Sequence, residues 1–296
     1  MMSGERVRSS AWDIAISVLI SVCVIVAIYE ARVIIVNRRA DEAAVNEYVE
    51  LRGYVQERQE DDTAAAAEEV QTAQAEAVTE TVEADGQEEE PLQGVPSDVP
   101  ALSIDYQALS ELNPDFVGWL YVPAVDLSYP VVQETFADQY LNTTFEGVPN
   151  SAGCLFMDDV SDPDFAGFYD FIFGHNMKNG TMFGALRQIH QAGNEHLVQD
   201  EPYLYIYRAD TVMRYRIYAY YITENGSPAY DEIYDHEAYD RVLDYTISNS
   251  MIGEPDRALF DGYPEILTLS TCSGRSGGSQ RFVVHSVKVD TWLNDL

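Results

Sequence analysis

The chain has 296 residues, with 50 acids against 17 bases and a formal charge of -33. That length allows one or two domains, and the composition excludes a collagen, a disulfide scaffold and a wholly disordered chain. With so few bases, and only Lys178 and Lys288 as lysines, the chain lacks the clustered Lys/Arg that nucleic-acid phosphates require.

The charge divides the chain into three regions. Residues 1–39 hold 5 bases and 3 acids, residues 40–100 hold 2 and 18, and residues 101–296 hold 10 and 29. In the first, Ile14 to Tyr29 runs without a charge. At about 1.5 Å per residue this is slightly short of a bilayer core, and VIIV continues it to Val36 past Glu30 and Arg32. The expectation is an N-terminal membrane anchor over 1–39, with a helix over about 12–36. Glu30 and Arg32 would reach toward the headgroups. No small-residue cleavage site follows the run, so a retained anchor is favoured over a removed signal peptide. Arg6 and Arg8 before the segment balance Arg38 and Arg39 after it, so the positive-inside rule leaves topology open.

Residues 40–100 read as an acidic, largely disordered linker. From Asp61 to Glu90 there is neither an aromatic nor a base, and such a stretch buries too little apolar surface to offset chain entropy. A helix continuing over about 40–60 is compatible with the sequence.

The third region, 101–296, has a different texture: every tyrosine except Tyr29, Tyr48 and Tyr54 lies in it. Short apolar or alternating runs predict strands at 117–122, 153–158, 169–174, 203–207, 213–223, 265–271 and 281–289. Helices are expected at Tyr106–Leu112, Met182–His190 and Glu237–Ser250. Many strands and few helices point to a mainly β fold, a barrel or sandwich with peripheral helices.

Chemistry in this region centres on few residues. Cys23 falls in the apolar segment, and Cys154 reads as a small buried hydrophobe. A Cys154–Cys272 bridge is possible but unsupported. Cys272 ends the strand EILTLST and enters a Gly/Ser-rich loop, with Arg275 and Arg281 near in sequence. A partly exposed, electropositive setting suits a reactive thiolate. Such a nucleophile needs a proton partner and an oxyanion stabiliser. Of the five histidines, His190, His196 and His236 sit in polar surroundings and His285 within an alternating strand. His175 opens a loop directly after the apolar run FIFG, which suits catalysis. No metal-binding spacing and no phosphate loop occurs.

These residues resemble the sortase family, and class B within it. TLSTC at 268–272 is similar to the TLxTC signature, and Arg281 matches the family's arginine, nine residues on. FGHNMKNGTMFGAL at 173–186 resembles the class B histidine segment, and YLNTTFEG…SAGCLFMD at 140–158 resembles the stretch before it. The likeness covers about 105–290. It implies an eight-stranded β-barrel with peripheral helices as the catalytic domain, 101–296, and cysteine transpeptidation with no cofactor and no metal. Residues 40–296 would then lie outside the cell membrane. The resemblance assigns His175, Cys272 and Arg281 as catalytic. Leu141, Ser270, Thr271 and, more loosely, Tyr230 are carried over as substrate-binding. The implied partners are surface proteins bearing a C-terminal sorting signal and a peptidoglycan amine acceptor. Two departures bear on the preferred signal: Ser273 stands where an acid is common, and Ala137 where a polar groove residue occurs. Arg275 is nearer to Cys272 but sits in a loop, a poorer place for the essential arginine than a strand start.

Other functions fit less well. An L,D-transpeptidase places its histidine shortly before the cysteine, whereas His175 lies far upstream. A pilin-polymerising sortase often carries a second hydrophobic tail, which is not seen before Leu296. A silent membrane-tethered binding module has no need of all three of His175, Cys272 and Arg281.

Overall fold

The fold is taken from a computed structural model that describes residues 5–57, 92–272 and 278–295. Two compact units emerge, the chain up to Asn46 and the chain from Glu47 onward. The first is one continuous helix, part of α1 (Glu5–Leu51). Its apolar residues from Ile14 to Val36 are exposed, and it is long and apolar enough to cross a membrane. It does not break at Glu30 or Arg32. Most of the segment read as an acidic linker, 58–91, lies outside the described residues. Its flanks are ordered: Tyr48 and Leu51 on one side and Val99 on the other are buried.

The second unit is a closed barrel. After β1 (Val55–Glu57) and β2 (Leu102–Ile104), which pair with each other, come α2 (Tyr106–Leu112), β3 (Phe116–Val122), β4 (Leu127–Gln133), β5 (Leu155–Met157) and β6 (Tyr169–Phe173). Then follow α3 (His196–Asp200), β7 (Tyr203–Tyr207), β8 (Thr211–Glu224), α4 (His236–Asn249), β9 (Ile266–Cys272) and β10 (Gln280–Leu293). The barrel order is β10-β8-β7-β3-β4-β5-β6-β9, closing on β10. The β4–β5 and β6–β9 pairs are parallel and the others antiparallel. This is the eight-stranded barrel that the resemblance implied, and closure leaves it no free edge.

Local chemistry explains most elements. Asp105 caps α2 by accepting from Ala108 N–H at 2.9 Å. Asp235 caps α4 through Ala238 N–H at 2.7 Å. The buried stripe of α4 (Ala238, Tyr239, Val242, Leu243, Thr246) follows helical spacing. Tyr239 and Leu243 pack in one cluster with Tyr218, Ile266 and Val287. That cover buries both faces of β8 from Ile217 to Tyr221, which is why the period-two pattern lapses there.

Two sequence expectations need correction. β4 was missed because Pro130 interrupts LSYPVVQ, and a proline argues against a central strand. The fold accommodates it: parallel pairing with β5 begins at Val131, one residue past the proline. The helix expected at Met182–His190 is a 3-10 segment, Phe183–Gln188. Met182 sits at φ 51 and supplies no side-chain cap. Gly184 packs against Met177 so closely that a β-carbon would strike the Met177 carbonyl. The three short elements β1, β2 and α3 were also unforeseen.

Candidate active site

Three strand ends place the expected catalytic residues at one end of the barrel. β9 runs parallel to β6, with Phe173 the register partner of Ser270. Just past β6, the Gly174 N–H donates to the Ser270 carbonyl at 3.3 Å. A β-carbon at Gly174 would collide with Leu155 and Phe183, so glycine is what lets the chain turn there and present His175. On the other side of β9, Cys272 is the antiparallel partner of Arg281. Arg281 is in turn the partner of Thr223 on β8. Cys272 and Arg281 are thus neighbours in the ladder, Cys272 one strand over from the end of β6 that leads to His175 and Arg281 two.

A cavity of about 350 Å³ opens at this end, lined by His175, Arg281, Leu141, Ser270 and Thr271 among others. Phe156 and Phe173, stacked with centroids 5.6 Å apart, supply apolar wall. Of the sequence-expected binding residues, Leu141, Ser270 and Thr271 reach the cavity. Tyr230 does not line it: its hydroxyl meets Ser270 Oγ at 2.8 Å and its ring stacks on Phe171 at 5.5 Å. The Thr271 hydroxyl is buried and, among the described residues, has no hydrogen-bond partner. Ala137 lines the cavity as well. Ser273 and Arg275 lie outside the described residues.

The polar contacts are specific. His175 Nε2 lies 2.6 Å from the Leu141 carbonyl. Arg281 donates from Nη1 to the carbonyls of Gly278 at 2.8 Å and Gln280 at 3.1 Å. A guanidinium carries five donors, so this leaves others for an incoming carbonyl. Four acids also line the cavity, Glu134, Asp138, Asp158 and Asp159. Sequence reasoning missed them, since acids between strands read as solvated surface. Glu134 is only 4 % exposed, and burial raises its pKa.

His285 and Cys154 have structural places. His285 is fully buried, bonded through Nδ1 to Thr268 (2.8 Å) and Tyr169 (3.2 Å) and through Nε2 to Tyr221 (3.1 Å). Desolvation pushes its pKa down to about 3, which keeps it neutral. Cys154 is a free, buried thiol pushed up to about 12 by burial, so it forms no bridge to Cys272. Among the described residues no three His, Cys, Asp or Glu side chains converge on a metal point.

Comparison with known proteins fits this geometry. A model of the sortase domain matches residues 120–289. The chain belongs to the sortase family. Similar proteins include sortase B of Listeria monocytogenes, 31% identical over 173 residues, which cover 55% of this chain and 65% of that protein. Sortase B of Staphylococcus aureus is 25% identical over 62% of this chain and 74% of its own. The crystal structure of Clostridium perfringens sortase B superposes with a TM-score of 0.55 at 28% identity, over 62% of this chain and 99% of that one. These relatives place the chain with class B of the family.

Proposed function

We propose that this protein is a membrane-anchored transpeptidase that joins secreted proteins to the cell wall. It would cleave a C-terminal sorting signal after threonine and pass the acyl group to a peptidoglycan amine. The carrying observation is the register pair Cys272–Arg281 beside a cavity that also takes in His175. The helix spanning Ile14 to Val36 would anchor the chain, with the barrel outside the membrane.

In the proposed reaction the Cys272 thiolate attacks the threonine carbonyl. The tetrahedral oxyanion takes hydrogen bonds from Arg281, whose guanidinium stays protonated and serves as donor only. The carbon–nitrogen bond breaks as His175 gives its proton to the leaving amine, and a thioester remains. An incoming amine then attacks, returns a proton to His175, and expels the thiolate.

The test uses the full chain in detergent micelles with peptides of N-P-x-T-x and L-P-x-T-G pattern, with and without an amine. Cleavage after threonine should occur in wild type, give an amide product when amine is present, and vanish in Cys272→Ala. Cleavage that persists in the variant would sink the assignment of Cys272.

A further inference from the structure

What orients His175 matters because, in the proposed function on which this rests, that histidine is the proton donor. A peptide carbonyl only accepts hydrogen bonds. The 2.6 Å contact between His175 Nε2 and the Leu141 oxygen therefore requires the proton on Nε2. That leaves Nδ1 as the nitrogen whose proton comes and goes.

The carbonyl itself is tightly placed. On one side Glu134, at the end of β4, accepts the backbone N–H of Tyr140 at 2.9 Å and also takes a hydrogen bond from the backbone of Asp138. The Tyr140 carbonyl accepts from Cys154 N–H at 3.1 Å. On the other side Gly153, at φ 60, packs so closely that a β-carbon there would lie 2.6 Å from the Leu141 oxygen. A buried carboxylate left without partners costs far more than it returns. Glu134 is buried at 4 % exposure with its partners in the segment 138–140, so the segment that ends in Leu141 is bound to it.

We propose that the Leu141 backbone carbonyl orients His175, and that Glu134 is the positioning residue that holds this carbonyl in place. The arrangement does for His175 what a buried carboxylate does for the histidine of a serine protease: it fixes one tautomer and one ring orientation. Here the fixing group is a main-chain oxygen and the carboxylate stands one step behind it.

The experiment uses the full chain in micelles with 15N-labelled histidine, the His175 signals being assigned from His175→Ala. Wild type should show neutral His175 protonated at Nε2. In Glu134→Ala the tautomers should mix and kcat should fall about 10-fold or more, with KM within about twofold. Glu134→Gln, which keeps an accepting oxygen, should recover most of that loss. A merely structural staple would move stability without moving the tautomer. Wild-type His175 protonated at Nδ1 overturns the proposal, and needs no variant that must fold. An unchanged tautomer and kcat in Glu134→Ala, with His175→Ala inactive, overturns the proposal alone. Transpeptidation that survives in His175→Ala overturns the role of His175 on which the proposal rests, and the proposal with it.

Discussion

Arg281 meets position 272 across the β9–β10 ladder, and its free donors are fixed in a planar fork. Lysine would keep the charge but concentrate it at one flexible point. Arg281→Lys is therefore expected to lower kcat by about 10²–10³-fold, the usual cost of one oxyanion donor. Alkylation of Cys272 by a small reagent should continue; a variant with near-normal kcat would show that Arg281 contributes charge alone. His285 gives a different kind of expectation, because its place is structural. Its pKa is about 3 in the fold against 6.5 ordinarily, so between those values the folded state binds fewer protons than the unfolded. Stability then falls as pH drops from about 6.5 toward 3. Asp170 acts in the opposite sense: burial raises it from 3.8 to about 6, so its share of stability grows as pH falls through 6. The histidine shift is the larger, so acid should destabilise on balance. In urea titrations of residues 47–296, His285→Gln should flatten the loss of stability between pH 6.5 and 4. An unchanged slope would mean that other groups set it.

At the scale of elements, the end of α1 belongs to the barrel. Tyr48 donates to the Gly153 carbonyl at 2.6 Å and its ring lies 5.3 Å from Tyr129. Glu47 accepts the Glu146 N–H at 3.0 Å, and Leu51 is 1 % exposed. Gly153 is the residue packed against the Leu141 carbonyl, so this segment backs the site. Leu51→Ala should cost about 2–5 kcal/mol in urea denaturation of residues 47–296, since it empties a closed space. A loss below about 1 kcal/mol would show that the segment merely rests on the barrel. Sequence reading could not see this docking, because a helix end and a distant loop share no local pattern. What it did see follows from periodicity: α2 at Tyr106–Leu112 and β7 at Tyr203–Tyr207 stand where expected. Pro130 hid β4, since the rule it breaks is local and the accommodation is a matter of register. His175, Cys272 and Arg281 could be singled out as candidates through motif resemblance. Glu134 was not, because nothing in the sequence marks which of many acids the fold will bury.

Taken as a whole, the molecule carries charge that its ion pairs do not balance. Residues 101–296 hold 29 acids and 10 bases. Several of those bases are already engaged: Arg208 with Asp164 at 2.6 Å, Arg214 with Asp290 at 2.6 Å, Arg257 with Asp244 at 2.9 Å. Asp164 and Asp244 are each 68% exposed, and exposed pairs are worth about 0–1 kcal/mol. The acids left over repel one another across the barrel surface, and such self-repulsion destabilises a compact state. Added salt weakens both effects, so the sign of the net change shows which is larger. Screening shortens from about 10 Å at 0.1 M to about 3 Å at 1 M. The excess of acids over bases makes repulsion the greater term. The melting temperature of residues 47–296 should therefore rise by a few degrees as NaCl goes from about 0.05 M to about 0.5 M, each kcal/mol being worth roughly 2–4 °C at this size. The rise should flatten once the screening length drops below the distance between neighbouring carboxylates. A fall instead would mean that the ion pairs around Arg208, Arg214 and Arg257 outweigh the repulsion; replacing Arg214 with methionine should then abolish much of that fall.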